Sequence, residues 1–132
     1  LAVGLAGADI VSLHLPVTER TRHLLDAAAI AGMKAGAVVV NTARGGLIDE
    51  AALAEALRSG HLRGVGLDVF EDEPPQADHP LLGLDNVLLS PHAAAGTAEA
   101  AWRMAVESAD NVLAGLDGRL DPAMVVNREV LA

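Results

Sequence analysis

Short apolar runs separated by polar turns set the pattern of this chain. Residues 9–15, DIVSLHL, form one such run and stop at Pro16. Residues 37–41, AVVVN, are β-branched and bounded by Gly, and 64–69, GVGLDV, and 87–90, VLLS, are two more. Each has the length of a strand, although 9–15 and 64–69 are short enough to suit a helical turn as well. Between the runs lie segments of helical spacing. Residues 26–33, DAAAIAGM, suit a short helix that starts at Asp26, with Gly36 soon after. In 49–59, DEAALAEALRS, Asp49 stands at the N-cap, Leu53 and Leu57 share a face, and Gly60 is the stop. From Thr97 to about Leu116, the spacing of Trp102, Val106, Ala109, Leu113 and Leu116 is that of an amphipathic helix. The opening LAVGLAGAD reads as the end of a helix. Residues 117–132, with Pro122 and an apolar MVV, read as an extended segment that docks elsewhere.

Short, continuously apolar strands that alternate with helices predict parallel strands buried on both faces, with right-handed crossovers stacking helices on each side. The expected fold is therefore α/β, a doubly wound parallel sheet. In such sheets ligands bind beyond the carboxyl ends of the strands. The polar residues fall where that rule asks for them. The first strand ends in His14-Leu15-Pro16, and the second in Asn41-Thr42-Ala43-Arg44-Gly45. The third carries Asp68, closely followed by Glu73, and the fourth ends in Ser90-Pro91-His92. Each residue has an ordinary reading: Arg44 as the anchor of a surface ion pair, Glu73 as part of a solvated acidic loop, His92 as a structural histidine. Asp68 is harder to set aside, because a carboxylate in an apolar strand needs partners. Taken together at one edge, the four favour a site.

Composition narrows the chemistry. With 132 residues and 52% hydrophobic content, the chain can form a compact domain with a core. A net charge of −9 argues against nucleic-acid or anionic-membrane partners, which reward Lys and Arg. The absence of Cys excludes disulfides, thiolate chemistry and Cys-ligated zinc. No apolar run reaches the ~20 residues of a membrane span, and LAVGLAGAD lacks the basic start of a signal peptide, so a soluble, cytoplasmic protein is expected. The histidines at 14, 23, 61, 79 and 92 include no helical i, i+4 pair and no HxH, so no metal site is expected. Ser90 lacks a GxSxG elbow, and no phosphate-binding P-loop pattern occurs. The Gly64-x-Gly66 pair is a decoy: it lies within a strand, and Val69 stands where a third Gly would be.

Four stretches resemble the D-isomer-specific 2-hydroxyacid dehydrogenases: DIVSLHLPVTERTRHLL, VVNTARGGLIDEAAL, GVGLDVFEDEPP and NVLLSPHAAAGTAEA. Within that family the likeness is nearest to the phosphoglycerate-specific members. It covers nearly the whole chain, and the closing PAMVVN is similar to the family's return to its other domain. The resemblance implies an NAD-dependent oxidoreductase that interconverts a 2-hydroxy acid, such as 3-phosphoglycerate, and its 2-keto acid. Arg44, Glu73 and His92 match the catalytic positions, with Glu73, directly before Pro74, taking the place rather than Glu71. Cofactor contacts would fall on Leu15, Pro16, Thr42, Ala43, Arg44, Asp68, His92, Ala94 and Ala95. Ala94-Ala95 stand where relatives often have Gly-Gly, and they remain small enough for a nicotinamide to approach.

The resemblance further implies a Rossmann-like sheet of which this chain is the nicotinamide-side half, residues 1–116, followed by a return segment at 117–132. The family's GxGxxG turn and its ribose-binding acid would lie upstream of Leu1, so the isolated chain is expected to be inactive. With that acid missing, NAD and NADP both stay open. A homodimer is implied by family alone, as is a small-molecule 2-hydroxy or 2-keto acid as partner. The competing expectation is a truncated, non-catalytic NAD-binding-like scaffold. Formate dehydrogenases, which pair their histidine with Gln, are disfavoured by Glu73, whereas glyoxylate/hydroxypyruvate reductases share all three residues.

Overall fold

The structure is a computed structural model that describes residues 1–131. It forms two compact units, Leu1–Ala94 and Ala95–Ala132. In chain order the first unit contains α1 (Ala2–Gly7), β1 (Ile10–Leu13), α2 (Ala27–Ala31), β2 (Val38–Asn41), α3 (Glu50–Arg58), β3 (Gly64–Leu67) and β4 (Val87–Leu89). The strands make one parallel sheet in the order β1-β2-β3-β4. Helix boundaries follow the expected caps. The Asp26 carboxylate accepts the Ala29 N–H at 2.8 Å, and Asp49 accepts that of Ala52 at 3.0 Å. Gly60, at φ +74°, turns the chain out of α3 in a conformation that a side chain would resist.

Burial along the strands alternates, which differs from the expectation of strands buried on both faces. Leu13, Val39, Val65 and Leu67 point into a core completed by Ile30 of α2 and by Leu53, Ala54 and Leu57 of α3. On the opposite face Val38 and Val40 are only half-buried, and Ile10 and Leu88 are exposed. The order of the strands explains the difference. β1, β2 and β3 step across the sheet in one direction, so crossovers of one hand lay α2 and α3 side by side on the same face. Between β3 and β4 there is no helix.

The register sets the functional edge. Leu13, Asn41, Leu67 and Leu89 pair across the sheet as one row, the last residue of each strand. The residues that follow, His14, Thr42, Asp68 and Ser90, therefore emerge together at the carboxyl edge. The sequence had set His14 inside the first strand; β1 ends one residue earlier.

In the second unit, α4 (Ala98–Leu116) starts at Thr97, whose hydroxyl accepts the Ala100 N–H at 3.1 Å. The tail, expected to be extended, is not. It forms two 3₁₀ turns, at Pro122–Met124 and Arg128–Leu131. Asp121 accepts the Ala123 N–H, and the proline ring presets the helical φ at the first position, so this stretch is capped like a short helix. No helix among the described residues is long and apolar enough to cross a membrane.

Candidate functional site

At the sheet edge lies an imidazole–carboxylate pair. His92 Nδ1 and Glu73 Oε2 lie 2.7 Å apart, and both side chains keep part of their surface exposed. The other carboxylate oxygen, Oε1, accepts the Phe70 N–H at 2.9 Å. The hydrogen bond from His92, then that from Phe70, holds the Glu73 carboxyl below its ordinary value, so it is the ionised form that faces the imidazole. With Nδ1 committed to Glu73, the second ring nitrogen, Nε2, is left to act outward. An imidazole held in one tautomer by a carboxylate is the arrangement expected of a reversible proton donor and acceptor.

Arg44 reaches the same cavity from β2. A space of about 310 Å³ is lined by Arg44, Gly45, Glu73 and His92, with Arg22 and Glu71 at its wall. The loop that carries Arg44 is organised by Asn41, which is buried at the strand end. Its Nδ2 donates to the Arg44 carbonyl at 2.9 Å, and its Oδ1 accepts the Ala43 N–H at 3.1 Å. Sequence reasoning placed Asn41 at the strand end without assigning it this role; an amide side chain in a β-branched strand just before a turn was the available signal.

Asp68 is 3% exposed and fully engaged. Its carboxylate accepts from the Ser90 hydroxyl at 2.6 Å and from the backbone N–H groups of Ala93 and Ala94 at 2.8 and 2.9 Å. The Ser90 bond first, and the two amides after it, keep this carboxyl below its ordinary value. In this geometry the Asp68 carboxylate orients the local backbone. The turn it holds contains His92 at φ +53°, a left-handed conformation that costs a non-glycine residue energy and needs such support.

A second cavity, about 360 Å³, is lined by Asp68, Phe70, Glu73, Pro74, Ser90 and His92. Its Phe70, Pro74 and Pro75 walls are apolar, and the His92 imidazole adds a hydrogen-bonding group to the lining. Leu15, Pro16, Thr42 and Ala43 follow β1 and β2 at the same edge. Ala94 closes the turn after His92, whereas Ala95 begins the second unit. Glu71 is set apart from the pair: it engages Arg22 and His23 instead of His92.

Residues 2–94 match the family described as D-isomer specific 2-hydroxyacid dehydrogenase, NAD binding domain. The glyoxylate reductase of Aeropyrum pernix is 47% identical over 94% of this chain and 37% of its own length. The D-3-phosphoglycerate dehydrogenase of Mycobacterium leprae is 48% identical over 96% of this chain and 25% of its own. The crystal structure of the TT0316 protein from Thermus thermophilus superposes with a TM-score of 0.87 at 46% identity, covering 92% of this chain and 39% of that one. The chain thus spans well under half the length of the relatives it matches.

Proposed function

The chain belongs to the D-isomer specific 2-hydroxyacid dehydrogenase family, and on that premise we propose that it carries the acid–base and substrate-binding groups of an NAD-dependent oxidoreductase acting on a small 2-hydroxy acid. The observation that carries the reading is the Glu73–His92 pair, 2.7 Å apart, facing a cavity that Arg44 also lines. Leu15, Pro16, Thr42, Ala43 and the turn at Ala94 would hold the nicotinamide end of the cofactor. Bound NAD(H) supplies or accepts the hydride at C2 of the substrate. The chain's residues do the remainder. Arg44 binds the substrate carboxylate through its planar fork. His92 Nε2 gives a proton to the keto oxygen in reduction and takes it from the hydroxyl in oxidation. Glu73 stabilises the imidazolium that precedes the first of these steps and follows the second.

Among substrates, glyoxylate, hydroxypyruvate and its 3-phospho derivative all offer the carboxylate and keto oxygen this site addresses. A cytoplasmic homodimer, with residues 117–132 returning to a substrate domain, completes the proposal. The test is a chimera in which this chain replaces the matching segment of the Aeropyrum pernix glyoxylate reductase. The chimera is expected to oxidise NADH with glyoxylate. Its His92→Gln variant is expected to lose about 10²- to 10⁴-fold in turnover, the usual contribution of a general acid–base, with little change in NADH affinity. A His92→Gln chimera as fast as its parent would sink the assignment.

A further inference from the structure

One peptide unit outside the imidazole–carboxylate pair joins the separate loops of the site. The Phe70–Glu71 peptide packs so closely on Gly45 that a Cβ there would lie 1.9 Å from the Phe70 carbonyl carbon and 2.3 Å from the Glu71 nitrogen. The Glu71 N–H of the same peptide donates to Glu50 Oε1 at 2.8 Å. The preceding amide, Phe70 N–H, donates to Glu73 Oε1. Two successive amides are thus held by two carboxylates, one of which belongs to the acid–base pair. Glu50 is itself fixed from the far side: its Oε2 meets His79 Nε2 at 3.0 Å, and these side chains are only 13% and 17% exposed. The His79 ring stands edge-on to Phe70, with centroids 5.4 Å apart and planes at 83°.

We infer that Glu50, held by His79, is a positioning residue for the acid–base pair: by fixing the Phe70–Glu71 peptide it holds the Phe70 N–H on Glu73, and so holds Glu73 on His92. The physical reason lies in the spacing along the chain. Glu73 sits in a loop with no strand or helix of its own, from Asp68 to Asn86. Such a loop keeps a side chain in one place only where its backbone groups are bonded to something rigid. Glu50 is the first residue of α3, on an element whose Leu53 and Ala54 are fully buried, so it provides that anchor. Around Glu73 the other charges are His92, which reinforces its ionised form, and Asp68, which opposes it. The charged partners of Glu71, Arg22 and His23, are occupied by its side chain and leave its N–H to Glu50.

The positioning role rests on the acid–base reading of Glu73 and His92, but its test needs no turnover, so either can fail without the other. The protein is labelled with ¹³C and ¹⁵N, and the Glu73 carboxyl is followed by NMR through an acid titration, with amide exchange measured alongside. In Glu50→Ala the Glu73 midpoint is expected to rise towards its ordinary value. The Phe70 and Glu71 amides should exchange about tenfold faster, while the Val39 and Leu67 amides of the sheet stay protected, the mark of a local rather than a global opening. Glu50→Gln, which keeps an oxygen for the Glu71 N–H, should restore both. Should Glu50→Ala not fold, His79→Ala, which removes the ring behind Glu50, should shift Glu73 in the same direction. A Glu73 midpoint unmoved in folded Glu50→Ala or His79→Ala, or exchange that quickens equally in the sheet, overturns the role.

Discussion

Asp68 holds the turn that presents His92: its carboxylate takes the N–H groups of Ala93 and Ala94 at 2.8 and 2.9 Å, directly after the left-handed histidine. A carboxylate can accept from both amides and from Ser90 at once because it has lone pairs only. In Asp68→Asn one oxygen becomes an NH₂ group, which must face a donor. The variant is therefore expected to melt at a lower temperature. The Ala93 and Ala94 amide proton resonances should also move upfield as their hydrogen bonds lengthen. An unchanged pair of resonances would show that another group holds the turn.

The approach of Gly45 to Phe70 gives a second prediction, with an internal control. A methyl group at position 45 meets backbone at 1.9 and 2.0 Å, and backbone cannot yield without moving the loop. At Gly46 the nearest atom is the flexible end of Arg22, at 3.4 Å. Gly45→Ala is expected to cost about 1–3 kcal/mol in urea unfolding, the range for forced overpacking, and Gly46→Ala well under about 1 kcal/mol. Equal losses in the two variants would contradict the packing described.

Acid should weaken the fold through Glu73. Its carboxyl is held below its ordinary value of 4.5, by His92 first and Phe70 second. A group whose value is depressed in the folded state contributes stability that is fully present above the ordinary value and is lost as pH falls through the folded one. The stability difference between the native protein and Glu73→Gln should accordingly shrink once pH drops below 4.5. Equilibrium unfolding across that range measures it; a difference that grows towards acid would reverse the sign of the argument.

The helix that carries Glu50 depends on its cap and its buried face in different degrees. Asp49→Ala removes the bond to the Ala52 N–H and should cost about 1 kcal/mol. Leu53 is fully buried in the core. Leu53→Ala should cost about 2–5 kcal/mol, the transfer loss together with the cavity. Denaturant midpoints of the two variants give the comparison directly.

Much of this architecture was legible in the chain because it is local. Asp26, Asp49 and Thr97 mark helix starts through bonds that span only three residues. Val38, Val39 and Val40 announce a strand by side-chain shape alone. The tail differs from an extended segment for a local reason too: Asp121-Pro122 reads as a breaker, yet the same pair caps and starts a short 3₁₀ turn. One-sided burial of the sheet was not local. It follows from the direction in which successive crossovers step across the sheet, which no single run of residues states.

By itself, the sequence determined which residues reach the carboxyl edge. Strand length and the turns that follow place Arg44, Asp68 and His92 there whatever the details of packing, and the family resemblance points to Glu73 rather than Glu71. Only the tertiary structure decided what these groups do to one another. Positions 73 and 92, 68 and 94, or 50 and 71 are far apart along the chain, and their hydrogen bonds exist because parallel strands in register bring the loops of one edge within a few ångströms. Hydrogen bonds fall off over fractions of an ångström, so partnership is a property of that register and packing, while candidacy is a property of the sequence.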